Sequence, residues 1–240
     1  APALEKRPMS SDAVNLQLFA ILPYVTLVVF FLATVGRYWN RPFSYSSYSS
    51  QFLENRFHFW ALVPFHYGIL TVFAGHLIAF LVPRSILLWN SQPLRLYILE
   101  ATGLAAGLLT LAGLVGITLR RLNEPKVKVV TSRMDWTVYG LLLLQVVTGV
   151  LVAIFNPWGA SWFAAVAAPY LWSLLTFRPD LQFIGALPFL VKLHIAGAFA
   201  LFAVFPFSRL VHILVVPNPY LWRRPQVVRW YRPRPTRQGA

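Results

Sequence analysis

The chain has 240 residues and no cysteine, so its five histidines, His58, His66, His76, His194 and His212, are the side chains best suited to hold a metal. Four of them, His66, His76, His194 and His212, fall well inside long apolar runs. An ionisable ring inside a membrane is costly unless it is paired, so its default role is functional. A lone helical histidine is usually a hydrogen-bonding residue, whereas two pairs on two helices point to cofactor ligation. His194 and His212 are 18 residues apart, which is five turns of an ideal helix and a separation of about 27 Å along one stripe. His66 and His76 are ten residues apart, a rise of about 15 Å and a rotation of about 80°, so they share one half of their helix. With the two helices antiparallel, His66 comes level with His212 and His76 with His194, and each pair is expected to grip one haem iron from both sides. On ideal helices the two separations differ by about 12 Å, which helix tilt and the reach of two imidazoles per haem must absorb. His58 sits among aromatics near Arg56 at the start of its run and reads as interfacial, not as a ligand.

Without cysteine the chain itself cannot hold a disulfide, a thiolate zinc site, an iron–sulfur cluster or a covalently attached c-type haem. Small residues crowd the histidines: Gly68, Ala74 and Gly75 in one run, Ala196, Gly197 and Ala198 in the other. They give flat room for a porphyrin or serve ordinary close packing of membrane helices.

The elements that must position these residues are membrane helices. The chain is 58% hydrophobic and only 12% charged, against about 25% charged in soluble domains. So few charges cannot solvate a globular surface. Five continuous apolar runs, 18–36, 57–81, 96–119, 134–155 and 187–216, are each long enough for an α-helix to cross a bilayer. Continuity rather than alternation favours helices over barrel strands. The stretch 158–178 is apolar and aromatic but is interrupted by Gly159 and Pro169, with Pro179 beyond, and is expected to be interfacial or re-entrant. The first run follows Glu5, Lys6, Arg7 and Asp12 and lacks a small-residue cleavage site, so it is expected to remain as a span. The expected organisation is an extracytoplasmic segment 1–17, a five-helix transmembrane domain 18–216 and a basic, proline-rich cytoplasmic tail 217–240.

The 21 basic and 7 acidic residues leave a net charge of +14. In so apolar a chain this points to a lipid surface and away from nucleic acid. Of the basic residues, 15 fall on one side of the predicted spans, and six, Lys6, Arg7, Arg84, Arg95, Arg178 and Lys192, on the other. The positive-inside rule then puts the amino terminus outside and the carboxy terminus in the cytoplasm. Arg37, Arg120, Arg121 and Arg209, at span ends on the basic side, suit either haem propionates or the anchoring of helix ends. A histidine-lined ion transporter would be expected to show inverted repeats, broken helices at the midplane and acidic relays, and none is evident. A purely structural anchor would leave four intramembrane histidines unexplained.

The residues themselves carry a resemblance. Phe65-His66-Tyr67-Gly68-Ile69-Leu70, Gly75-His76, Lys192-Leu193-His194 and Phe205-Pro206-Phe207-Ser208-Arg209-Leu210-Val211-His212 resemble the gamma subunit of membrane-bound respiratory nitrate reductase. The Leu119-Arg120-Arg121-Leu122 turn and the Val216-Pro217-x-x-Tyr220-Leu221 exit are also similar. The likeness runs from the first span to the tail, and the Phe-Pro-Phe-Ser-Arg-Leu-x-His motif is specific. It implies an all-α integral membrane protein of the prokaryotic cytoplasmic (inner) membrane, with five transmembrane helices bundled around two stacked haems b. Such a subunit oxidises quinol on the outer side and passes electrons to an iron–sulfur (beta) subunit and a molybdenum catalytic (alpha) subunit. No nitrate-reducing site is then expected on this chain. The resemblance assigns His66 and His212 to the haem near the cytoplasm, and His76 and His194 to the outer one.

It also implies a quinol site made by Gly75, His76 and a basic residue ahead of the third span, where this chain has Arg95 instead of the usual lysine. Guanidinium is always protonated and presents a planar fork, so hydrogen bonding to a quinone carbonyl is expected and proton transfer through Arg95 is not. Glu100 is the one acid expected within a span; it reads first as structural, neutralising Arg95, and second as an acceptor of a quinol proton. The same haem ligation would serve a nitrite-oxidising or related molybdoenzyme complex running electrons toward the membrane.

Overall fold

The computed structural model describes residues 9–41, 44, 45, 53 and 56–215. The first eight residues, the tail 217–240 and the side chain of His58 lie outside what is described. Regular structure among the described residues is helical throughout. Helix α1 (Met9–Leu16) passes through a π-turn (Gln17–Ile21) into α2 (Leu22–Asn40), and is followed by α3 (Arg56–Leu81), α4 (Pro83–Trp89), α5 (Pro93–Asn123), α6 (Pro125–Val129) and α7 (Arg133–Phe155). Then come α8 (Gly159–Trp162), a π-turn (Phe163–Ala167), α9 (Ala168–Leu175), α10 (Gln182–Gly185) and α11 (Phe189–Val204). Among the described residues, five stretches are long and apolar enough to cross a membrane: Asp12–Asn40, Phe59–Leu81, Pro93–Asn123, Arg133–Phe155 and Phe189–Phe207.

Local chemistry sets the starts. A proline opens each of α4, α5 and α6, where its missing N–H costs nothing. Helix α7 begins with a capping box in which Ser132 and Asp135 satisfy one another's backbone N–H groups.

Packing runs in the order α3, α5, α7, α11, α2. The closest approach is α3 on α5. A Cβ at Gly68 would lie 2.7 Å from the carbonyl oxygen of Ala106 and 2.7 Å from the amide nitrogen of Thr110, and one at Gly113 would lie 2.8 Å from the carbonyl oxygen of Ala61. Bare backbone against backbone is how membrane helices gain dispersion contact when lipid is as apolar as their own side chains. Gly68 therefore serves helix packing, and its open side is filled by α5, not by a flat cofactor face.

The run 187–216, expected as one helix, is interrupted. Helix α11 stops at Val204, Phe205–Phe207 forms a 3-10 turn, Ser208 is extended (φ −107°, ψ −179°), and a 3-10 stretch, Arg209–Val215, follows. Pro206 accounts for the break, because it has no N–H to donate and its ring excludes the carbonyl of the preceding turn. His194 and His212 thus do not share one helical stripe, and the 12 Å mismatch estimated for ideal helices loses its basis.

The stretch 158–178 forms an apolar helix over Gly159–Leu175, shorter than the spans. Trp158 enters it in the left-handed region (φ 66°), with its ring against Tyr97 at 5.5 Å between centroids. The buried face of this segment packs Tyr170 and Leu174 with Phe19 and Ile184. Two phenols fasten it to the first span: Tyr170 donates to the Phe19 carbonyl (2.8 Å), and Tyr24 donates to the Leu174 carbonyl (3.0 Å).

Candidate functional site

Four histidines, three on membrane-length helices and His212 in the 3-10 segment beyond the last of them, share one tautomer. On α3, Nδ1 of His66 lies 2.8 Å from the Leu62 carbonyl, and Nδ1 of His76 lies 2.9 Å from the Val72 carbonyl. Beyond the break at Pro206, Nδ1 of His212 lies 2.6 Å from the Arg209 carbonyl. A carbonyl only accepts, so in each ring Nδ1 carries the proton and Nε2 keeps its lone pair.

His194 reaches the same state by another route. The Thr148 hydroxyl directs its proton to the carbonyl of Leu144 (2.7 Å) or Gln145 (3.1 Å), leaving its oxygen to accept from Nδ1–H of His194 at 3.0 Å. The side-chain amide of Gln145 then donates to Nε2 at 3.3 Å. Two glycines make the contact possible. A Cβ at Gly149 would come within 2.9 Å of Cε1 of His194, and one at Gly197 within 2.6 Å of Oε1 of Gln145. Each helix thus lays a polar side chain over a glycine of the other.

His76 and His194 lie within electrostatic reach of each other across the bundle, and the His76 ring meets the edge of Phe163 at 5.1 Å. His212 lies at the arginine-rich end, three residues beyond Arg209, and His66 precedes His76 by ten residues on α3. A set of four imidazole Nε2 lone pairs, with Nδ1–H held by an acceptor in every case, fits axial haem ligation. The residues present fit the group. Gln145, Thr148 and Gly149 escaped the sequence reading. The available signal was two polar side chains inside an apolar run, spaced i and i+3 on one helical face.

At the arginine-rich end the cations are engaged by protein acceptors. Arg37 donates from Nη1 to the carbonyls of Pro206 (2.6 Å) and Ser208 (2.8 Å), and through Nε and Nη2 to Ser44 (2.9 and 2.7 Å). Arg121, only 6% exposed, donates to the Tyr139 hydroxyl (2.7 Å) and Thr131 (2.9 Å). Arg120 is buried beside it. Arg209 pairs with the buried Asp135 (2.8 Å) and donates to the Val130 carbonyl (2.7 Å), tying the segment before His212 to the start of α7.

At the opposite end, a Cβ at Gly75 would meet nothing within 4 Å, so the surface next to His76 is open. Arg95 stacks its guanidinium over Trp89 (5.2 Å to the ring centroid). Glu100 accepts from the Ala160 N–H at 2.7 Å. The expected neutralisation of Arg95 by Glu100 is therefore not found, because the carboxylate is drawn to the orphan amides at the start of the Gly159–Leu175 helix, where the helix dipole favours negative charge.

Five membrane-length helices among the described residues, two of which carry His66, His76 and His194, define a multi-pass helical membrane protein. Residues 15–231 match the nitrate reductase gamma subunit family. The respiratory nitrate reductase 1 gamma chain of Escherichia coli (strain K12) is 33% identical over 220 residues, covering 90% of this chain and 97% of its own. The nitrate reductase gamma chain of Bacillus subtilis (strain 168) is 30% identical over 209 residues, covering 86% and 94%. The chain belongs to the nitrate reductase gamma subunit family.

Proposed function

We propose that this chain is the quinol-oxidising dihaem b subunit of a respiratory nitrate reductase complex in the prokaryotic cytoplasmic membrane, with its amino terminus outside. The observation that carries the reading is that Nδ1 of His66, His76, His194 and His212 each lies against an oxygen acceptor, which leaves Nε2 as the ring nitrogen with the lone pair. His66 and His212 would hold the haem nearer the cytoplasm, and His76 and His194 the outer one. Haem iron held by two imidazoles supplies a one-electron carrier.

The remaining work falls to the chain's own groups. Quinol gives up two electrons and two protons at the outer end, where the backbone at Gly75 is open. Arg95 hydrogen-bonds the quinone oxygen there without taking a proton, since guanidinium stays charged. The protons are released outside. Electrons leave at the basic cytoplasmic face to an iron–sulfur (beta) subunit that feeds a molybdenum (alpha) subunit. Moving negative charge inward while protons appear outside builds a charge separation without a proton channel.

A reduced-minus-oxidised visible spectrum with haem quantification on the purified complex tests this. Two b-type haems per chain are expected; absent b-type bands, or far fewer than two haems, would overturn it. His66→Ala and His212→Ala are expected to remove one and the same haem, and His76→Ala and His194→Ala the other.

A further inference from the structure

His194 differs from the other three histidines in how its ring is held. His66, His76 and His212 give Nδ1–H to carbonyls three or four residues back in their own segment, so acceptor and ring move together. His194 gives its proton to a side chain on another helix, the hydroxyl of Thr148. We infer that Thr148 is the positioning residue of the outer haem ligand: its hydroxyl oxygen, above the seat provided by Gly149, fixes the tautomer and plane of the His194 ring and thereby tunes the potential of the iron that His194 holds. The inference rests on the reading of His194 as an iron ligand.

Three features support it. Thr148 is only 4% exposed, so water does not compete for its lone pair. Two α7 carbonyls, Leu144 at 2.7 Å and Gln145 at 3.1 Å, lie in reach of its own proton, which leaves its oxygen to accept from the ring. The glycine beneath makes room for the ring at this place, since a Cβ at 149 would press on Cε1 at 2.9 Å. Gln145 agrees with that tautomer, because an amide N–H needs a lone pair on Nε2. Its amide approaches Nε2 at 3.3 Å, while its Oε1 is buried without a partner among the described residues. A long bond to a half-satisfied amide is one that iron displaces at little cost.

An acceptor on Nδ1–H makes Nε2 more basic and favours the ferric state, and such outer partners typically change metal affinity by about 10- to 100-fold when removed. The test is redox potentiometry with optical and EPR detection on the whole purified complex carrying Thr148→Val, which keeps the β-branched shape and deletes the acceptor. The outer haem is expected to shift to a higher midpoint potential, with a displaced low-spin signal and weaker retention, while the inner haem is unchanged; Thr148→Ser restores the wild-type values. A Thr148→Val complex with wild-type outer potential, signal and haem content overturns the inference, and so does an equal shift of both haems, which would mark a packing effect. Should the valine variant fail to assemble, Thr148→Ala against Thr148→Ser decides on the same readouts. Retention of both haems in His194→Ala would instead locate the failure in the ligand assignment beneath it.

Discussion

Arg37 of α2 donates from Nη1 to the carbonyl oxygen of Pro206 at 2.6 Å, across the break that ends the last membrane helix. The relation answers a need created by the sequence. Pro206 stops the helical ladder, and the carbonyls around it lose their helical donors. Arg37 supplies them from a neighbouring helix, taking Ser208 with the same nitrogen and Ser44 with the others. The 3-10 segment that carries His212 is thereby fixed against α2, and the Arg209–Asp135 pair fixes it against α7.

Removing this clamp is expected to act on one haem more than the other. Each charge-assisted bond is worth about 1.5–3 kcal/mol, and Arg37→Ala forfeits two of them at the break. The loss loosens His212 while leaving His76 and His194 in place, so the inner haem is expected to fall in occupancy and the outer haem to persist. Arg37→Lys retains the charge but not the fork, and is expected to be intermediate. Haem content with the two midpoint potentials resolved checks this; full occupancy of both haems in Arg37→Ala would show that the Arg209–Asp135 tie suffices alone.

Glycine positions in α3 and α5 should divide sharply. Gly113→Val and Gly68→Val place side chains where the neighbouring backbone already lies, and overpacking of this kind costs about 1–3 kcal/mol or more. Both variants are expected to lower the amount of complex in the membrane and its thermal stability in detergent, with both haems lost in proportion. Gly75→Ala adds a Cβ to open space, so normal abundance is expected, and any change it makes in quinol kinetics then reports on the surface beside His76. Reduced abundance of Gly75→Ala would mean that this surface is packed.

The spans were legible because hydropathy is a local property of sequence. Runs such as 134–155 needed only length and the absence of charge, and α7 occupies Arg133–Phe155. The end of the last run was not, because a hydropathy window counts Pro206 as one residue among many and does not register its missing N–H. The histidines stood out as candidates through the cost of a polar ring in lipid. Thr148 and Gln145 could be placed only once α7 and α11 were packed, since their partner lies more than forty residues along the chain. Glu100 was misjudged for a similar reason: Arg95 is its neighbour in sequence, whereas the Ala160 amide reaches it through a loop whose path includes a left-handed Trp158.

The outer end yields the last prediction, in which structure and chemistry at Glu100 come apart. Glutamine at 100 still offers an oxygen to the Ala160 N–H but can neither hold a charge nor accept a quinol proton. If the carboxylate is a cap, Glu100→Gln retains quinol oxidation, and Glu100→Ala, which loses about 0.5–2 kcal/mol of capping, loosens the Gly159–Leu175 helix that touches His76 through Phe163. The expected pattern is therefore near-normal turnover in Gln and a disturbed outer haem in Ala. Turnover lost in Glu100→Gln with both haems intact would instead make the carboxylate the proton acceptor. Arg95 should behave in the opposite sense. Its guanidinium rests on Trp89, outside the contacts that hold the histidines, so Arg95→Ala is expected to leave both haem spectra unchanged. Removing a charged hydrogen bond to the quinone oxygen costs about 1.5–3 kcal/mol, equivalent to a loss of roughly tenfold to a hundredfold in kcat/KM for quinol. Steady-state quinol oxidation, with the haems titrated in the same preparation, separates the two residues, and unchanged kinetics in Arg95→Ala would leave that arginine an anchor stacked on Trp89 and nothing more.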